Sequence, residues 1–151
     1  MTITVETSPT RHLAAVRRYI RIPEIRHAWK PALDQVWHFL RKNPGLRTDG
    51  HNIFLYHHPA HRDDPMTIDF GVEVIRSFAP SGEVFPAEVP AGEVATALHI
   101  GPYDGIGETH DAIHAWAAAN HRTFAGKSWE IYGDPAPDPA KTETRIVYLL
   151  S

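Results

Sequence analysis

Two stretches of this 151-residue sequence contain the same order of predicted elements. Alternating apolar residues predict strands, and apolar residues at three-and-four spacing predict helices. In the first stretch we predict strands at residues 2–6, 13–20, 52–57 and 67–78, with a helix from Pro23 to the break at residues 43–45. In the second we predict strands at residues 93–100, 128–132 and 142–150, with a helix at residues 106–120. Apart from the N-terminal strand, both stretches therefore read strand, helix, strand, strand.

Matching residues support a true internal repeat. Ile25 corresponds to Ile106, 81 positions later, and Tyr56 corresponds to Tyr132, 76 positions later. Two units that each expose one apolar sheet face can bury those faces together. We therefore predict an α+β fold of duplicated β-α-β-β units with pseudo-twofold symmetry, in which two long helices pack on an antiparallel sheet. The chain is predicted to be one domain with repeat halves of about 1–78 and 82–151, and the groove between the halves is the natural ligand site.

The composition argues against several classes of partner. Lysine and arginine total 15 against 18 aspartate and glutamate, a net charge of −3 that provides no basic surface for nucleic acid or an anionic membrane. No stretch approaches the roughly 18 apolar residues of a membrane span. The sequence has no cysteine, which excludes disulfides and thiolate metal sites and is compatible with a reducing cytoplasm. We expect a cytoplasmic protein that contacts neither nucleic acid nor membrane directly.

Histidine is frequent, with 11 residues, but the pattern does not predict a metal site. Residues 57–64 contain three histidines around Pro59 and are interpreted as a solvated turn. His110 and His114 have helical metal-binding spacing, yet Asp111 stands where a zincin has glutamate, and no third ligand is evident. These two histidines are interpreted as an exposed helix face. The sequence therefore predicts no metal and no cofactor.

Four segments carry a resemblance to a known family. They are His-Ile-Gly-Pro-Tyr at residues 99–103, the helix running to Trp116, Trp-Glu-Ile-Tyr-Gly-Asp-Pro at residues 129–135, and the last strand from Thr144. In this order they resemble the second half of a GyrI-like domain, and the likeness extends more weakly through the first half. The resemblance implies a duplicated β-α-β-β fold and a hydrophobic pocket that binds drug-like, often cationic, molecules around a buried glutamate.

The sequence also departs from that family. Residues 20–23 read Ile-Arg-Ile-Pro where a Gly-Pro-Tyr is expected, and His110 and His114 replace larger aromatic residues. The last strand lacks the family's acidic residue after Thr144, and its tyrosine is moved by one place, which changes the face of a strand. The identity of the ligand is therefore not carried over from the resemblance.

Strand alternation groups the candidate ligand-binding residues. Glu130 and Tyr132 share one face of their strand, and by the repeat Phe54 and Tyr56 occupy the matching face. Aromatic rings around one carboxylate suit a hydrophobic cation. In the opposite interpretation the aromatic residues belong to the core, and Glu130 is exposed or paired with an arginine.

Three further residues are candidates for the same site. Tyr103 follows the Gly101-Pro102 break, where a side chain can lean over the end of the sheet. Trp29 lies near the start of the first helix, although its spacing also suits the core, where we place Trp37 and Trp116. His99 stands beside the same break and is either a proton donor to the groove or a structural residue.

The leading hypothesis is a module that binds a hydrophobic small molecule, cationic or neutral, and sequesters it or reports it to another protein. The resemblance also implies an enzymatic alternative, a hydrolase of cyclopropane-containing genotoxic natural products. Glu130 would then be the base, with Tyr103 or Tyr132 as acid, provided that burial raises the pKa of the glutamate. Haem binding and a protein partner such as DNA gyrase are weaker alternatives, and a homodimer stays open. The sequence contains no helix-turn-helix segment for direct DNA contact.

Overall fold

Residues 2–151 are described by a computed structural model and form one eight-stranded antiparallel sheet with two α-helices. The strands are β1 (Thr4–Ser8), β2 (Arg11–Ile20), β3 (Asn52–His57), β4 (Met66–Val74), β5 (Phe85–Val89), β6 (Gly92–Ile100), β7 (Phe124–Tyr132) and β8 (Glu143–Leu150). The helices are α1 (Ile25–Lys42) and α2 (Ile106–Ala119). The strand order is β1-β6-β8-β7-β3-β4-β2-β5, with every neighbouring pair antiparallel. The predicted α+β class is confirmed.

Two strands differ from the prediction. β5 was not predicted because Pro86 interrupts a short apolar run, and this strand lies at the edge of the sheet, where a missing backbone N–H is tolerated. β7 begins at Phe124 rather than at Ser128. Its pairing with β8 is irregular between these two residues, and Gly126 has a φ of +88°, a conformation that favours glycine. The irregularity breaks the alternation by which a strand is recognised in sequence.

The sheet has the same arrangement on both sides of its central pair, β3 and β7. Phe54 pairs with Glu130, 76 positions later. Each helix packs on the two strands beyond the central pair in its own half, α1 on β2 and β4 and α2 on β6 and β8. At the edges, Thr4 of β1 pairs with Thr96, and Phe85 of β5 pairs with Ala15. Thr4 and Phe85 are 81 positions apart, and so are Ala15 and Thr96.

These equal spacings support the proposed halves of about 1–78 and 82–151. They also show an exchange of edge strands: β1 pairs with β6 of the second half, and β5 pairs with β2 of the first half. We expect residues near 12–76 to superpose on residues near 93–150 in an experimental structure, with the same connectivity and strand direction. Two halves that fail to overlay in a crystal structure would contradict the repeat.

The helices cover one face of the sheet. α1 buries Ala32, Leu33, Val36 and Leu40, and α2 buries Ile113 and Ala117. Trp37 and Trp116, predicted in the core, are only half-buried at its margin. No helix of the described residues is long and apolar enough to cross a membrane.

The opposite face of the sheet contains a second apolar cluster and a network of charged side chains. The predicted solvated turn at residues 57–64 is wrong at its start, because His57 ends β3 and is half-buried. The His57 Nε2 lies 2.7 Å from an oxygen of the buried Asp69 carboxylate, which also accepts hydrogen bonds from Arg17. The Lys127 ammonium lies 2.7 Å from His57 Nδ1. The polar side chains of this network therefore form hydrogen bonds and ion pairs with one another.

Candidate ligand-binding site

Glu130 is a buried carboxylate on the face of the sheet that carries the helices. It lies in β7 between Phe54 of β3 and Ile146 of β8, and only 6% of the residue is exposed. Side chains of a strand alternate between faces, so Glu130 and Tyr132 point to the helix side while Trp129 packs in the opposite cluster. The predicted division of these residues between the two faces is confirmed.

Three side chains hold the Glu130 carboxylate. The hydroxyls of Tyr56 and Tyr132 both donate to Oε1 at 2.5 Å, and the Nε2 of His110 lies 2.7 Å from Oε2. Tyr56 and Tyr132 are the residues matched by the repeat, so the two halves each contribute one donor to the same oxygen. The alternative of an exposed or arginine-paired Glu130 is therefore wrong, since the carboxylate is buried and is paired with a histidine.

The environment keeps Glu130 ionised. Burial alone would raise the pKa of this carboxyl, but the hydrogen bond and charge of His110 and the hydroxyls of Tyr132 and Tyr56 outweigh it, and the pKa falls below its usual value. Burial, reinforced by the negative charge of Glu130, raises the pKa of Tyr56 and Tyr132 well above that of a free phenol. Both tyrosines therefore remain protonated donors.

Aromatic rings from both halves lie on one side of Glu130. Phe54 lies edge-on to Tyr132 with ring centroids 4.8 Å apart, and Trp29 lies 6.4 Å from Phe54. Tyr103 contacts Tyr132 at 5.8 Å. Trp29 is 37% exposed and Tyr103 is 51% exposed, so these two rings form the solvent-facing rim of the cluster.

The other side of Glu130, where α2 and β8 lie, is polar. The Nδ1 of His110 lies 2.7 Å from the hydroxyl of Tyr148, and His58 and His114 contact the ring of Tyr148. Burial and the nearby charges of His114 and His110 lower the pKa of His58, and burial and His110 likewise lower the pKa of His114. Within residues 2–151, no three histidine, aspartate or glutamate side chains are grouped as metal ligands.

The repeat explains this polarity. His110 stands 81 positions after Trp29, and Glu130 stands 76 positions after Phe54. The same two places, one on the helix and one on the central strand, therefore hold an apolar ring pair in the first half and an imidazole–carboxylate pair in the second. The result is one site with an apolar end and a charged end.

Six of the predicted site residues are brought together: Glu130, Tyr132, Tyr103, Phe54, Tyr56 and Trp29. His99 is not part of this group. It is buried in the corner between β6 and α2, where its Nδ1 lies 3.0 Å from the Thr109 hydroxyl and its Nε2 lies 2.9 Å from the Pro102 carbonyl. Gly101 makes this corner with a φ of +136°. With both ring nitrogens engaged, His99 has a structural role there.

Two residues of the site escaped the sequence analysis. The prediction that His110 lies on an exposed helix face is wrong, because its side chain is only 22% exposed and reaches Glu130. The repeat contained the missing signal, since His110 is the counterpart of Trp29, a residue already named as a candidate. Tyr148, the shifted tyrosine of the last strand, was not proposed as a site residue, although it pairs with Ser128 and so shares the face of Glu130.

Two surface cavities lie away from Glu130. One, of about 370 Å³, is lined by residues that include Arg11, Asp49 and Glu73. The other, of about 420 Å³, lies between α1 and the turn at residues 81–84. Both are open hollows without a buried carboxylate among aromatic rings. Glu130 is instead covered by the side chains that contact it.

Comparisons with known proteins agree with this architecture. The C-terminal domain of EcmrR superposes with a TM-score of 0.81 at 21% identity, covering 99% of this chain and 97% of that chain. In the EcmrR–DNA complex this chain corresponds to only 57% of the EcmrR chain. SAV2435 bound to tetraphenylphosphonium has a TM-score of 0.77 at 12% identity, covering 100% of this chain and 94% of that chain.

A hydrolase from Listeria innocua also shares the fold, with a TM-score of 0.64 at 13% identity over 99% of this chain and 91% of that chain. No curated protein matches the sequence at a significant level. The family model of the GyrI-like small molecule binding domain matches residues 1–149. The predicted family is thus confirmed: the chain belongs to the GyrI-like small-molecule-binding domains.

Proposed function

We propose that this chain binds a hydrophobic aromatic cation at the Glu130 cluster. The observation that carries the proposal is a buried, ionised carboxylate enclosed by aromatic rings. A desolvated negative charge attracts a cation strongly, and the faces of the surrounding rings add to that attraction. A small inorganic cation has no apolar surface to bury against the rings, whereas an organic cation gains from both its charge and that burial.

Entry of a ligand requires the rim of the cluster to open. Trp29 and Tyr103 are the most exposed rings of the site, and each contacts the cluster through a single ring neighbour, Phe54 and Tyr132 respectively. Exposed side chains change rotamer within nanoseconds. Rotation of these two rings would admit a flat or tetrahedral aromatic group without movement of the sheet.

One structural neighbour supports this class of ligand. SAV2435 has been seen with tetraphenylphosphonium, a hydrophobic organic cation, on the same fold. In the present chain the repeat-related pairs Trp29–Phe54 and His110–Glu130 favour a ligand whose apolar part lies toward α1 and whose charged part lies toward α2.

The hydrolase alternative is less well supported by this geometry. It requires a glutamate whose pKa is raised by burial, so that it takes up a proton near neutral pH. Here three donors lower the pKa of Glu130 and occupy both of its oxygens. The Listeria innocua hydrolase is 13% identical to this chain, a likeness that shows a shared fold and not a shared reaction.

Calorimetric titration with two probes of similar shape tests the proposal: methyltriphenylphosphonium, which is a cation, and triphenylphosphine oxide, which is neutral. We expect the cation to bind more tightly. Trp29→Ala should weaken the cation by about tenfold, since loss of one aromatic contact and its cation–π attraction is worth about 1.4 kcal/mol, and should weaken the neutral probe less, since that probe loses only the aromatic contact.

The matched control is Tyr19→Ala, which truncates an exposed aromatic residue on the opposite face of the sheet. This variant should bind both probes as the wild type does. Equal weakening by Trp29→Ala and Tyr19→Ala, or no binding of either probe to the wild type, would reject the site.

A further inference from the structure

We infer that His110 sets the charge of the ligand that this site accepts, acting as a built-in counter-ion that competes with a bound cation for Glu130. The inference rests on the proposed function and concerns the same site. It begins from the 2.7 Å contact between His110 Nε2 and Glu130 Oε2, which places an ionisable base directly against the only buried glutamate of residues 2–151.

His110 can occupy this position in either charge state without moving. When the imidazole is neutral, Nε2–H donates to Glu130 and Nδ1 accepts a hydrogen bond from the Tyr148 hydroxyl. When the imidazole is protonated, both nitrogens donate, and the Tyr148 hydroxyl becomes the acceptor by rotating its hydrogen. The heavy-atom contacts are the same, so protonation changes the charge of the site rather than its shape.

The charge of the pair decides which ligand is favoured. Neutral His110 leaves the site with the full negative charge of Glu130, which attracts an organic cation. Protonated His110 cancels that charge in a desolvated place, so that a cation must compete with an ion pair that is already formed. A neutral aromatic molecule meets the same rings in both states.

The other groups that contact Glu130 or His110 keep their charge across the neutral range. Tyr56 and Tyr132 remain protonated, and burial raises the pKa of Tyr148 above that of a free phenol. Glu130 remains ionised. The imidazole is the side chain that ordinarily titrates between about pH 5 and pH 8.

Other titratable or charged residues lie farther from Glu130, on the same side as His110. His58 follows β3, and His114 and Asp111 lie on α2. The pKa of His58 and of His114 is lowered, so both are mostly neutral above the ordinary histidine pKa. Arg62 approaches His114 from the turn after β3 and bears a constant charge.

The repeat supplies an independent argument. The counterpart of His110 is Trp29, and the counterpart of Glu130 is Phe54, which form an uncharged ring pair in the first half. The second half therefore carries a base and an acid together at the two places where the first half carries neither. A glutamate that acted alone as the receptor of a cation would not need a base on the facing helix.

The experiment measures the affinity of methyltriphenylphosphonium and triphenylphosphine oxide at about pH 5.5 and about pH 8.5, on either side of the histidine range. For the wild type, the cation should bind about tenfold more tightly at the higher pH, the scale of one charge-assisted contact. The neutral probe should change by less than about twofold, since its contacts with the rings do not titrate.

His110→Gln is the decisive variant, because glutamine keeps a donor for Glu130 but does not titrate. It should make the affinity for the cation nearly independent of pH, with a value at about pH 5.5 that is about tenfold tighter than that of the wild type. His114→Gln, the same substitution one turn along α2, should retain the pH dependence of the wild type. His110→Asn serves as the second variant if His110→Gln does not fold.

The outcomes distinguish failure of the His110 role from failure of the proposed binding function. A wild type that binds the cation equally at both pH values, or a His110→Gln variant that keeps the full pH dependence, overturns the role of His110 while the binding function stands. Loss of the dependence in His114→Gln but not in His110→Gln also overturns it. Failure of both probes to bind the wild type and His110→Gln at either pH removes the proposed function and this inference with it.

Discussion

Replacement of Glu130 by glutamine should weaken the binding of methyltriphenylphosphonium by about 10- to 150-fold at about pH 8.5, where an ordinary imidazole is neutral. The basis is the loss of one desolvated charge opposite a cation, worth about 1.5–3 kcal/mol. Triphenylphosphine oxide should lose little, because it carries no charge and the substitution leaves the aromatic rings of the proposed site in place. Calorimetric titration of both probes against the variant measures the difference.

A control for net charge is available in Glu88, an exposed glutamate of β5 at the edge of the sheet. Glu88→Gln changes the net charge of the chain by the same amount as Glu130→Gln but should leave both affinities unchanged. If Glu130→Gln weakens the neutral probe as much as the cation, the substitution has damaged the shape of the site, and the carboxylate is not the counter-charge.

The same variant also addresses the hydrolase alternative. A general base contributes typically 10²–10⁴-fold to turnover, so a hydrolytic Glu130 would show about a 100-fold slower reaction on a cyclopropane-bearing substrate with nearly unchanged binding. The donors around Glu130 favour the opposite pattern, a large loss of cation affinity.

The largest effect on stability is expected at Trp129, the neighbour of Glu130 on the opposite face. Trp129 is fully buried between Leu55 of β3 and Val147 of β8. Trp129→Ala should lower the free energy of unfolding by about 3–5 kcal/mol, through lost apolar burial and the cavity that remains. Denaturant unfolding followed by circular dichroism measures this change.

Since a small domain is stable by only about 5–15 kcal/mol, Trp129→Phe provides a milder test. The buried indole N–H of Trp129 has no hydrogen-bond partner among residues 2–151, and phenylalanine removes this donor while keeping one aromatic ring. Trp129→Phe should therefore cost clearly less than Trp129→Ala. Trp116→Ala, at a half-buried position of α2, should also cost less. Equal losses in all three variants would contradict a core centred on Trp129.

Much of the fold followed from local patterns. Seven of the eight strands and both helices were predicted, because apolar periodicity is a property of neighbouring residues. The same alternation placed Glu130 and Tyr132 on one face, and the repeat placed Phe54 and Tyr56 opposite them. β5 was missed because an edge strand of five residues with a proline shows little periodicity.

The tertiary structure decided what reaches Glu130. His110 is 20 positions from it in sequence, and their contact depends on how α2 is rotated on β6 and β8. That rotation is set by the burial of Ile113 and Ala117. α2 is rich in alanine, so its sequence does not distinguish the buried face from the exposed one.

The sequence by itself determined the class of fold, the alternation of faces and an acid among aromatic residues. Only the tertiary structure decided that two tyrosines from different halves donate to one carboxylate oxygen, and that a histidine holds the other. The physical reason is the separation along the sequence over which each effect acts. Strand and helix periodicity act between residues a few positions apart, whereas the charge and pKa of Glu130 depend on groups that meet only when the helices dock on the completed sheet.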